Sequence, residues 1–90
     1  MTVITEEEKK ELEGILQLAE ILLENLRLFL TKCDDFCAEH PDLKFNEAPL
    51  LFGVVQAMAI VSVPLKRYTA PSIVSVQGAI GSALKNQRRK

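Results

Sequence analysis

Leu12-Glu13-Gly14-Ile15-Leu16-Gln17-Leu18-Ala19-Glu20-Ile21-Leu22-Leu23-Glu24-Asn25-Leu26-Arg27-Leu28-Phe29-Leu30-Thr31-Lys32-Cys33 is the stretch on which the fold turns. Leu12, Ile15, Ala19, Leu22, Leu26, Phe29, Cys33 and Phe36 advance in alternating steps of three and four, and Glu13, Gln17, Glu20, Glu24, Arg27, Thr31 and Asp34 form the complementary polar stripe. A strand would alternate with period two, so this register predicts one long amphipathic helix over about residues 5–40. Leu16, Leu23, Leu30 and Cys37 widen the apolar side on one flank, and Leu18, Ile21 and Leu28 on the other. The apolar arc spans roughly 200°, about twice what a surface helix buries against one neighbour. Either two more helices of the same chain cover it, or a second copy does. A seam sustained over four heptads is the pattern of long helix–helix contacts, and the eight residues from Leu12 to Phe36 are the expected self-association seam.

The ends of this helix are marked in the sequence. Thr5 followed by Glu8 fits a capping box, and Glu6, Glu7 and Glu8 suit the positive end of the helix dipole. Pro41 cannot continue the ladder and draws His40 out of helical geometry. Beyond it, Leu43 and Phe45 are apolar anchors in a connector, and Asn46 offers a cap for a second helix. Two shorter helices are expected, over about 47–63 and 70–86, the first ended or kinked by Pro64 and the second capped by Thr69. Val54-Val55, Ile60-Val61 and Ile73-Val74 carry strand propensity. The apolar run 48–63 nevertheless exceeds most strands in length and contains Ala57, Met58 and Ala59, which favours helix. The expectation is an all-α bundle forming a single domain over residues 1–90, with a basic tail at 85–90, completed by homodimerisation.

Ninety residues bury a modest core, roughly 60–65% of the unfolded surface. Nearly half are apolar, with no Trp and two Cys, which excludes a disordered tail, a collagen-like chain and a disulfide scaffold. The start, Met1-Thr2-Val3-Ile4-Thr5, has no basic or apolar leader region, so a cytoplasmic protein with reduced thiols is expected. Charge is divided along the chain. The first 47 residues hold twelve acidic and five basic side chains, net −7, and the remaining 43 hold six basic ones and no acid, net +6. Six spread charges fall short of the dense stripe of a nucleic-acid binder. The basic half is expected to fold onto the acidic helix, in the same chain or in a partner.

Cys33, Cys37 and His40, spaced i, i+4 and i+7, are the one metal-like constellation, with a thiolate and imidazole set that suits zinc. Cys33, however, occupies the seam and Cys37 its flank, where small hydrophobes belong. Their Cβ atoms on a helix stand about 5–6 Å apart, beyond the roughly 3.5–4.5 Å of a disulfide. Asp34 and Asp35 disfavour a reactive thiolate. The uncharged stretch 48–65 touches the lower limit for a bilayer span, but Pro49 and Pro64 shorten the helix it could form, and a buried central helix is the preferred reading. No phosphate loop, catalytic triad or cofactor motif is present, and no small-molecule substrate is evident. The residues therefore point to a non-enzymatic interaction or regulatory module, a homodimer with the possibility of a further protein partner. Two alternatives stay open: a metal- or redox-responsive module built on Cys33, Cys37 and His40, and a membrane-associated helical hairpin through residues 48–65.

Overall fold

The computed structural model describes residues 4–88, with the backbone alone for 86–88. Every regular element among them is helical. Helix α1 runs Glu6–Ala38, α2 Pro49–Pro64 and α3 Ala70–Arg88, and a five-residue π-helical turn, Leu65–Thr69, joins the last two without a break. The molecule is thus a long antiparallel hairpin, 65 × 18 × 15 Å, in which α1 packs against both halves of a second arm.

The start of α1 follows from its cap. The Glu8 amide donates to Thr5 Oγ1 at 3.1 Å and the Thr5 amide donates to Glu8 Oε1 at 3.0 Å, which satisfies two helix-end donors reciprocally. The Thr5 amide, and after it the Thr5 hydroxyl, hold the Glu8 carboxyl below its ordinary value of about 4.5, since a donor to the carboxylate favours the ionised form. At the other end the Glu39 amide still reaches Asp35 and Phe36 carbonyls, and His40 bonds back to Cys37 at 3.1 Å before Pro41 stops the ladder. In the connector Leu43 is half-buried, and Phe45 lies largely exposed with its ring edge-on to Phe52 at 5.9 Å.

The second arm departs from the sequence reading in two places. Its N-cap is Ala48, outside helical geometry at φ −148° and ψ 74°, with no side-chain cap; Asn46 does not serve, because Pro49 at the first helical position fixes the start and forces the preceding residue out of helical φ/ψ. The two shorter helices lie close to their expected ranges, but Pro64 does not end the chain's helical course. Pro64 and Pro71 each remove an amide and crowd the carbonyl four residues back. The turn between them widens instead, and the Ala70 amide closes onto the Leu65 carbonyl five residues away. Thr69 is accordingly inside a helix and caps nothing. Ser62 Oγ donates to Met58 O at 2.7 Å and Ser72 Oγ to Tyr68 O at 2.6 Å, further local satisfaction around the two prolines.

Helix α1 meets this arm through Leu12, Leu16, Ala19, Leu23, Leu26, Leu30, Cys33 and Cys37, all buried or half-buried. Their steps alternate strictly between four and three, the seam of a left-handed helix pair. Leu23, Leu30 and Cys33 are the buried residues of α1, with Cys33 at 1% exposure. In the second arm the inward positions are Ala48, Leu51, Val55, Met58, Ser62 and Leu65, again in steps of three and four, and then Ala70, Ile73, Gln77, Ile80 and Leu84. An unbroken heptad would have placed residues 69, 72 and 76 inward. The π turn has absorbed one extra residue, so Ser72 and Val76 stay outside while Ile73 and Gln77 face α1.

Candidate interaction surface

Which side of the hairpin is apolar follows from this register. Around inner pairs such as Leu16/Ala19, Leu23/Leu26 and Leu30/Cys33, one flank of α1 carries Glu13, Glu20, Arg27 and Asp34, and the other carries Ile15, Leu22, Phe29 and Phe36. The corresponding flanks of the second arm are Phe52, Ala59 and Lys66 on one side, and Val54, Val61 and Tyr68 on the other. In an antiparallel pair equivalent flanks lie on the same side. The ion pair between Lys66 Nζ and Asp34 Oδ2, 2.8 Å, fixes which flank meets which. Both partners are half exposed, so the bridge contributes at most about 1 kcal/mol and matters here as a marker of register. One broad face of the hairpin is therefore polar along α1, with an open depression lined by Glu20, Leu23, Glu24, Arg27 and Gln77. The opposite face is a sheet of apolar side chains.

That apolar face is uncovered. Ile15, Leu22 and Phe29 from α1 and Val54, Val61 and Val76 from the second arm are all exposed, Leu22 at 56%. Of the eight seam residues expected from the sequence, Leu12, Ala19, Leu26 and Cys33 turn into the hairpin, Ile15, Leu22 and Phe29 turn out onto this face, and Phe36 is half-buried with its ring 4.8 Å from that of His40. The second-arm contribution escaped the sequence reading. Helix α2 is apolar on every side, so its pattern carries no register, and the inserted residue shifts the phase again in α3.

The accessible surface of the chain is 6984 Å². A folded monomer of 10.0 kDa exposes about 5,200 Å², which leaves a surplus of about 1,700 Å². Helix α2 adds to it on its outer side, where Leu50 is 88% exposed and Ile60 and Val63 also face outward. The continuous helix Pro49–Lys85 is long and apolar enough to cross a membrane, and only 6% of its most apolar window is buried. It does not serve as the enclosed central helix that the sequence suggested. Along its length, however, lies α1 with Arg27, Lys32, Asp34 and Asp35, so the closed hairpin would carry ionised groups to any depth that α2 reached.

The cysteine and histidine constellation is dispersed. Cys33 is enclosed in the seam, Cys37 Sγ donates to the Val55 carbonyl at 3.7 Å, and His40 leans on Phe36. Among the described residues no group of three His, Cys, Asp or Glu side chains converges on a point where a metal could sit. Compared with protein-family models, with curated proteins and with solved structures, the chain matches none.

Proposed function

We propose that this chain is a non-enzymatic helical interaction module that acts through self-association and partner surfaces, and that the apolar broad face of the hairpin is its working surface. The observation that carries this reading is the alignment of exposed apolar side chains from both arms on one side of the molecule, opposite a side that is polar along α1. Scattered surface hydrophobics are ordinary in soluble proteins, whereas a contiguous apolar patch larger than a few hundred Å² marks a contact site. The test is carbene footprinting of the protein at micromolar concentration in a cell extract. Ile15, Leu22, Phe29, Val54 and Val61, 38–56% exposed, should be labelled less than their exposure predicts, while Leu18 and Leu28, 68% and 57% exposed, should be labelled in proportion to theirs. Labelling in proportion to exposure in both groups would remove the reading.

A membrane-associated hairpin is the second reading, favoured by the length and slight burial of the helix Pro49–Lys85. It requires the arms to separate so that α2 enters lipid while α1 stays in water. Co-flotation with vesicles, together with loss of the Lys66–Asp34 contact, would favour it over the first.

A further inference from the structure

We infer that the occupant of the apolar face is a second copy of the chain, stacked face to face with both turns at the same end, so that α1 of each copy lies over the second arm of the other. The inference rests on the interaction-module reading and gives that surface a partner and an orientation. Area comes first. The surplus of about 1,700 Å² per chain, part of it on the outer side of α2, bounds what two chains can bury together at about 3,400 Å² in total, which leaves room for an interface in the 2,000–5,000 Å² range of obligate homodimers. The face runs along the hairpin from Ile15 to Phe29 on one arm and from Val54 to Val76 on the other, so a copy of equal length covers it. Two hairpins joined in this way form a four-helix bundle with one closed core.

Charge then selects between the two ways of stacking. A two-fold axis in the interface plane either runs along the hairpin, which sets α1 over the partner's second arm, or across it, which sets α1 over the partner's α1. Residues 1–47 carry net −7 and residues 48–90 net +6. The crosswise axis would bring like-charged arms together at an interhelical spacing of about 8–10 Å, comparable to the Debye length at physiological salt. The lengthwise axis gives every acidic arm two basic neighbours, one in its own chain and one in the partner. The charged flanks of α1 in both hairpins then point to solvent.

Two measurements on the full chain decide the matter. Light scattering at low micromolar concentration gives the mass, and electron–electron distance measurement on spin-labelled Asp42→Cys, in a Cys33→Ala/Cys37→Ala background checked for helicity, gives the separation of the two turns. The expected result is twice the 10.0 kDa chain mass, with the labels within about 25 Å of each other, a few interhelical spacings. A separation approaching the 65 Å length of the hairpin, at the same mass, would overturn the orientation and leave the interaction module intact. As a check free of cysteine changes, a photo-crosslinker at Leu22 should join the partner's second arm; a crosslink to the partner's α1 overturns the orientation in the same way. A monomer whose Leu22 and Phe29 label freely would remove both the dimer and the module. A monomer that instead partitions into anionic phosphatidylserine vesicles would replace the second copy with a lipid surface.

Discussion

Leu22 and Leu23 are neighbours in sequence and sit about 100° apart on the helix, so truncating each to Ala separates the inner seam from the outer face. Leu23 is 5% exposed. Its loss removes contacts that the hairpin makes by itself, and a buried Leu→Ala costs about 2–5 kcal/mol; a seam only two helices thick relaxes readily, which points to the lower part of that range. Leu22 is 56% exposed. Less than half of the ~1.5–3 kcal/mol available from burying a leucine is realised inside the hairpin, about 1 kcal/mol. Association would supply a similar amount at each of two copies, so Leu22→Ala should weaken the dimer by about 2 kcal/mol, roughly thirtyfold in Kd. Circular dichroism melts across a hundredfold range of concentration, paired with sedimentation, distinguish the two. Leu23→Ala should lower the midpoint by a similar amount at every concentration, while the Leu22→Ala deficit should grow on dilution and coincide with loss of the dimer. If both variants behaved alike, the assignment of inner and outer positions on α1 would be refuted.

Alkylation under native conditions should modify Cys37 well before Cys33, which should react only as the hairpin opens; equal rates read by mass spectrometry would contradict the enclosure of Cys33. Deleting Arg67 should remove the extra residue and restore an unbroken heptad through the second arm, so the variant should keep its helicity and its hairpin; deleting Ala57 instead should rotate α2 out of phase and lower the thermal midpoint by several degrees. Glu8 provides the pH dependence. Because its folded value lies below about 4.5, its contribution to stability is fully present above that pH and is lost as the pH falls through the lower folded value. Thr5→Ala should return the Glu8 titration, followed by carboxyl NMR shifts, towards the ordinary value and fray the first turn of α1.

Much of α1 was legible because three independent signals agree over it: a capping box at Thr5 and Glu8, a sustained three-four period, and Pro41 beyond the end. The second arm was legible as helix but not as part of a hairpin. Pro64 reads as a stop because an α-turn has no place for its ring and lacks a use for the missing amide. Pro64 instead sits in the last turn of α2 and the chain runs straight on into a π turn, which no residue in Leu65–Thr69 advertises. Asn46 reads as a cap by type, yet Pro49 sets the start by geometry. The surface was half legible: Ile15, Leu22 and Phe29 belonged to a visible stripe, but which of the two flanks faces outward depends on where the second arm sits. Lys66 and Asp34 settle that through a contact 32 residues apart, which pattern alone does not supply.

The order of the arms along the chain also bears on synthesis. The acidic arm leaves the ribosome first, and a helix of this length forms in about a microsecond. At about 5–20 residues per second the remaining fifty or so residues take several seconds to follow. When the uncharged stretch beginning at Pro49 emerges, a charged template is already tethered a ten-residue connector away. Folding back is then a local search, and the inward side of that stretch, Leu51, Val55, Met58 and Ser62, spends little time without cover. Reversing the arms by circular permutation would release the apolar segment first, with nothing beside it, and should show as a lower soluble yield from the same residues.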